Sequence, residues 1–342
     1  MVEQSYLQWL AAETGTEWWH DSADLGELKH ALEHGACGVT TNPVLTAQAV
    51  RAHAEEWREA AAGLVATAPG VERAETLVRV AVTRCAALLA SEYVRSEGRR
   101  GYVCGQVSPS LVTDAEGMLA MARRYHAWAP NVAVKIPATA VGLDAIEECA
   151  AEGITTNATV SFTVPQALAV AERCRKGLER ARAAGRRTGR CYTTIMIGRL
   201  DDYLRDVAAD TRAGVAEEDI RQAGLAVTKR AYALYKERGY ESVLVVAALR
   251  GVHHMVGLAG AEVVMSIHPD NQAKLLAPGV PRELGCWEPV PPAVIERLRR
   301  LPEFTRAYEP EGLRPDEFYA FGLTQRTLVQ FVLSGWALLE AH

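Results

Sequence analysis

The chain has no apolar run approaching the length of a membrane span; its longest β-rich stretch, Val243 to Leu249, reads as a buried strand, and no membrane partner is expected. It has no basic excess either. Lys plus Arg number 37 against 42 Asp plus Glu, a net charge of −5, so binding along a nucleic-acid backbone is not expected. The one basic segment, 175–190, lacks interleaved aromatics and reads as a solvated helix face and loop. The seven cysteines are odd in number, dispersed and never in a C-x-x-C pair, which excludes a disulfide framework and a zinc ribbon and suggests a reducing compartment. The N-terminus lacks a basic n-region, so no signal peptide is expected and the expected location is cytoplasmic. Gly-x-Gly-x-x-Gly, Walker A and Gly-x-Ser-x-Gly patterns are all missing, which leaves nucleotide-dependent and serine-hydrolase chemistry without support. His253-His254 has no third ligand at a metal-like spacing, and no metal is expected.

What is present is the composition of a soluble globular protein, 49% apolar and 23% charged, and a regular alternation of short and long apolar patterns. Eight β-branched runs read as strands: 18–22, 36–40, 102–107, 132–136, 154–157, 191–195, 243–247 and 262–266. Helical patterns separate them at about 25–34, 45–67, 71–97, 114–128, 140–152, 164–184, 216–238 and 251–259. The first has Asp24 as its expected N-cap, with Glu27 at capping-box spacing. The alternation predicts an α/β fold, a (β/α)₈ TIM barrel, in one domain spanning 1–342. A Pro-rich connector, Ala277 to Ala293, leads to extra C-terminal helices expected over 293–342 and packing over the barrel.

Barrels carry their functional groups where strands end. Here the strand ends supply Asp21, Thr41 with Asn42, Gln106, Lys135, Asn157 with Thr159, Thr194 with Arg199, Arg250, and Ser266 with His268. Lys135 is the most informative, because it sits inside Val132-Ala133-Val134-Lys135-Ile136-Pro137. Such a lysine either snorkels to the rim or pairs with a carboxylate, or it serves as the amine nucleophile of a Schiff base. Asp21 is either a strand-end carboxylate capping the next turn or the acid/base for that amine, within hydrogen-bond reach directly or through one water. Arg199 and Arg250, after the sixth and seventh strands, are placed as a phosphate clamp.

These residues resemble the transaldolase family. Gly38-Val39-Thr40-Thr41-Asn42-Pro43 is similar to its T-T-N-P signature, and Val134-Lys135-Ile136-Pro137-Ala138-Thr139 to its Schiff-base lysine motif. Gly153 to Thr159, Ile197-Gly198-Arg199-Leu200-Asp201, and Ala247-Ala248-Leu249-Arg250 with Ala259-Gly260 follow in the family's order. The resemblance implies a class I aldolase-type barrel needing no metal or organic cofactor and acting on sugar phosphates. It implies that Lys135 forms the Schiff base with a ketose donor, that Asp21 is the acid/base, and that Gln106 and Thr159 hold the catalytic water. It further implies that Thr41, Asn42, Asn157 and Thr194 bind or line the substrate and that Arg199 and Arg250 take its phosphate. Family members transfer a dihydroxyacetone unit; a simple aldolase, or a binding barrel without turnover, are the alternatives. A homodimer is among the assemblies expected. Four positions depart from the family: Gln106 stands where transaldolases carry Glu and the related fructose 6-phosphate aldolases carry Gln. Met196 stands where the former have Phe and the latter Tyr, and Ala248 and Val44 each stand where Ser is usual.

Overall fold

A computed structural model describes residues 4–67 and 73–342, with side chains of 63–67 left aside. Eight strands form a closed, all-parallel barrel in chain order: β1 (Glu17–His20), β2 (Gly38–Val39), β3 (Tyr102–Gln106), β4 (Val132–Pro137), β5 (Thr156–Thr159), β6 (Cys191–Met196), β7 (Val243–Ala247) and β8 (Val264–Ile267), with β8 beside β1. The (β/α)₈ barrel expected from the alternation is what forms. Successive strand residues point to opposite faces. Trp18, Val103, Val134, Ile195, Val246 and Met265 therefore belong to the large apolar cluster that includes the surrounding helices. Residues of the other parity, Trp19, Cys104, Ala133, Tyr192, Val245 and Val264, form a separate buried cluster inside the barrel. Three aromatics close it from below: Trp19 and Tyr192 meet edge-on at 4.9 Å, and Tyr102 meets Tyr192 at 5.9 Å.

Parity then fixes what lies one layer up. Two residues beyond Trp19, Cys104, Ala133 and Tyr192 come Asp21, Gln106, Lys135 and Thr194. The ladder sets Gln106 opposite Lys135 and Lys135 opposite Asn157, so these three stand side by side on β3, β4 and β5.

The helices start where side chains satisfy their free N–H groups. Asp24 accepts from Glu27 N for the Leu25–Glu33 helix, and Asn42 Oδ1 from Val44 and Leu45 N for the Pro43–Ala52 helix. The Glu27 side chain does not complete a box; it accepts from Ser22 Oγ at 2.6 Å. The expected 45–67 helix is two, Pro43–Ala52 and Ala54–Thr67, broken at His53 (φ −130°, ψ 44°). The 216–238 helix is likewise Glu217–Ile220 followed by Ala223–Glu237. The helix expected at 71–97 runs Arg73–Arg95, and 71–72 lie outside the described residues. Three helices have no counterpart in the sequence reading: Tyr6–Glu13, Ile197–Thr211 and Pro269–Leu276. The second escapes because it begins directly after β6, with no loop and no capping side chain on Met196. β5 lies two residues later than expected, on Thr156-Asn157-Ala158-Thr159 rather than on 154–157.

Beyond β8 come the extra helices Pro292–Leu298, Pro302–Tyr308 and Gly322–Phe331, the last continued by a π-helical turn at Val332–Trp336. That turn lies against the start of the Pro43–Ala52 helix: a Cβ on Gly335 would sit 2.7 Å from Pro43 Cβ. All seven cysteines are free and six are buried. Among the described residues no helix is long and apolar enough to cross a membrane.

Candidate active site

A cavity of about 430 Å³ opens at the C-terminal end of the barrel. Seven of the strand-end residues singled out in the sequence line it: Asp21, Asn42, Lys135, Thr194, Arg199, Arg250 and His268. The other five, Thr41, Gln106, Asn157, Thr159 and Ser266, are buried on the strand ends around it.

Lys135 is 4% exposed, and its Nζ donates to the Thr41 carbonyl at 3.3 Å. No hydrogen bond or ion pair joins it directly to Asp21, although both face the cavity. Asp21 Oδ1 instead accepts from Thr40 Oγ at 2.7 Å, and Thr40 shares a short hydrogen bond with Ser266 on β8. One strand over from the lysine, Asn157 accepts from Thr194 Oγ at 2.8 Å and donates to Cys104 Sγ at 3.2 Å, which locks its amide. Thr41 Oγ is committed to the Cys104 carbonyl, and Asn42 Oδ1 to its helix cap. By contrast, Gln106 Oε1 and Thr159 Oγ are buried with no protein partner. Buried polar atoms are nearly always satisfied, so these two are available to a bound oxygen or N–H.

The mouth is cationic. Arg199 donates to Gln330 Oε1 at 2.6 Å and lies over the Phe331 ring, with no carboxylate in ion-pair range among the described residues. Burial, with the like charge of Arg250, pulls its guanidinium down to about 10. Arg250 is held by Asp202 at 2.8 Å and by the Ala248 carbonyl at 3.1 Å. Two guanidiniums that repel one another, one of them uncompensated, make a receptor for an anion. Gln48, Asp270, Asn271 and Lys274 also line the cavity, and strand-end reasoning missed them. They come from the first two turns of the helices after β2 and β8, and Lys274 follows Asp270 at i+4, the one signal that could have found it.

One grouping was not anticipated from spacing: Asp201, His253 and His254 offer ligand atoms within 4.8 Å of one another. Asp201 comes from the Ile197–Thr211 helix, outside the local sequence window. The donor set does not fit a metal ion. A metal-bound imidazole donates through its other nitrogen, whereas His254 Nδ1 accepts from the Arg250 N–H at 3.2 Å. His253 Nδ1 meets the Arg221 guanidinium at 3.4 Å, and burial, His254 and Arg221 hold that ring down at about 4.

Residues 18–313 match the family described as Transaldolase/Fructose-6-phosphate aldolase. The chain belongs to this family. A transaldolase of Neisseria gonorrhoeae is 31% identical over 211 residues, covering 60% of this chain and 58% of that protein. The matched stretch thus spans less than two thirds of that relative. A probable transaldolase of Anaeromyxobacter sp. is 29% identical over 283 residues, 79% of this chain and 97% of its own length. Transaldolase 1 of Streptomyces avermitilis is 34% identical over 225 residues, 63% and 58%. In this transaldolase/aldolase family member all five family-like segments lie within the matched region, and four of them supply residues that line the cavity, Asn42, Lys135, Arg199 and Arg250 among them.

Proposed function

We propose that the chain transfers a dihydroxyacetone unit from a ketose phosphate to an aldose acceptor through a Schiff base on Lys135. The observation that carries this reading is one buried lysine in a polar cavity whose mouth holds an uncompensated arginine. In this reading the free amine of Lys135 attacks the ketose C2 carbonyl, and loss of water leaves the Schiff base. Asp21 takes the proton from the C4 hydroxyl as the C3–C4 bond breaks, and the bonding pair moves into the Schiff base as an enamine. The aldose phosphate leaves, the enamine carbon attacks the acceptor carbonyl, and Asp21 returns its proton to the new alkoxide. Water then releases the product and restores the amine, held between Gln106 and Thr159, whose Oε1 and Oγ have no protein partner. Asn42, Asn157 and Thr194 would meet the substrate hydroxyls, with Thr41 fixing the lysine through its carbonyl. Arg199 and Arg250 would take the phosphate. We further read 1–342 as one domain acting in the cytoplasm, where seven unpaired thiols are at home.

Gln106 supports a second reading, a simple aldolase that releases dihydroxyacetone. An amide orients water but cannot share a proton with it as a carboxylate can. Against this, Met196 on the cavity wall supplies no phenol. Product analysis with fructose 6-phosphate, with and without erythrose 4-phosphate, separates the two. Sedoheptulose 7-phosphate formed only with the acceptor is the expected result. Free dihydroxyacetone at equal rates in both would establish the aldolase, and no product in either a binding barrel.

A further inference from the structure

Two buried side chains that the proposed reaction does not use join the two arginine-bearing segments. Asp201 follows Arg199 by two residues in the Ile197–Thr211 helix, and His254 follows Arg250 by four in the Val252–Val256 helix. Both are withdrawn from solvent. Asp201 Oδ1 accepts from the Gly224 N–H at 2.8 Å, and Oδ2 lies 2.9 Å from His254 Nε2. His254 Nδ1 accepts from the Arg250 N–H at 3.2 Å. A neutral imidazole has one donor and one acceptor nitrogen. With Nδ1 accepting, the ring proton sits on Nε2, which lies beside the carboxylate at ion-pair distance without a well-directed hydrogen bond. A continuous series of polar contacts therefore runs from the start of the Ala223–Glu237 helix to the backbone of Arg250.

The segment it reaches has reason to need holding. Ala248 has φ +56°, the left-handed region, which costs a residue with a Cβ about 1 kcal/mol. Gly198 presses on it so closely that a Cβ there would lie 2.3 Å from the Ala248 carbonyl oxygen. The like charges of Arg199 and Arg250 push the two segments apart. Asn271 supplies a second restraint, donating to the Leu249 carbonyl at 2.9 Å.

We propose that Asp201 and His254 are positioning residues that hold Arg250 opposite Arg199 and so set the affinity for the substrate's phosphate; this rests on the clamp reading above. The probe is inorganic phosphate, titrated calorimetrically into the full chain, alongside KM and kcat for fructose 6-phosphate. His254→Leu removes both contacts and is expected to weaken phosphate binding and raise KM about tenfold, with kcat held. His254→Gln, whose amide can accept from the Arg250 N–H and donate to Asp201, is expected to recover most of the loss. Asp201→Asn, which keeps the volume, takes the place of His254→Leu should that variant not fold. Arg199→Ala tests the clamp itself: unchanged phosphate affinity there would overturn the clamp and the proposal with it. If Arg199→Ala abolishes phosphate binding while folded His254→Leu or Asp201→Asn binds like the parent, the positioning role alone is overturned. A fall in kcat with KM unmoved would overturn it equally.

Discussion

The floor and the mouth of the barrel are built from the same strands and the same inward parity, two residues apart. Trp19 lies below Asp21, Cys104 below Gln106, Ala133 below Lys135 and Tyr192 below Thr194. On the floor the side chains are apolar or aromatic and pack on one another. In the mouth they are polar, and Gln106, Thr159 and Arg199 keep buried nitrogen or oxygen atoms without protein partners; of these floor residues only the Trp19 indole N–H does. Folding gains from the first arrangement and is taxed by the second, because an unsatisfied buried polar atom carries its desolvation cost. One turn of the pleat divides a region that serves stability from one that serves a ligand.

Substitutions on either side of that line should fail in opposite ways. Asp21→Ala should lower turnover by about 10²–10⁴-fold, with the thermal midpoint unchanged or raised. Trp19→Ala, one layer below, should cost about 3–5 kcal/mol in chemical denaturation, while the fraction that remains folded keeps its turnover. Equal losses of stability and activity in both variants would erase the division.

A smaller effect comes from the outward parity. His20 precedes Asp21 but is fully buried, its Nδ1 facing Gln272 Nε2 at 2.9 Å. Burial, opposed by the Asp21 charge, holds this ring down at about 4. The unfolded chain then binds the proton first, so stability is complete above the unfolded value near 6.5 and is lost as the pH falls toward 4. The slope in that window approaches about 1.4 kcal/mol per pH unit for the one group. Denaturation midpoints between pH 7 and 4 should show this decline, and His20→Gln should flatten it. An unaltered slope in the variant would assign the acid sensitivity elsewhere.

The barrel was legible because eight short runs, most of them apolar and β-branched and each buried on two sides, announce themselves without long-range information. The residues of the mouth were legible for a related reason: a lysine or glutamine at the end of an apolar strand has few places to point. Legibility ended where a contact joins separate elements. The Ile197–Thr211 helix carries no start signal, so Asp201 could not be set beside His254 from spacing. Asn271 and Lys274 reach the cavity from a helix that follows β8, for which Pro269 and the Asp270–Lys274 spacing are weak local cues. Asp21 and Lys135 both face the cavity without a direct hydrogen bond: Lys135 Nζ donates to the Thr41 carbonyl and Asp21 Oδ1 accepts from the Thr40 hydroxyl, contacts that join separate elements.

The proposed reaction stands on Lys135 as the covalent residue of the mouth. Borohydride reduction in the presence of fructose 6-phosphate, followed by intact mass and peptide mapping, tests it most directly. One stable adduct per chain is expected, mapped to Lys135 and absent from Lys135→Met, which should remain folded because it replaces a buried amine with an apolar side chain of similar length. An adduct on Lys274, the other lysine at the cavity, or an undiminished adduct in Lys135→Met, would contradict it.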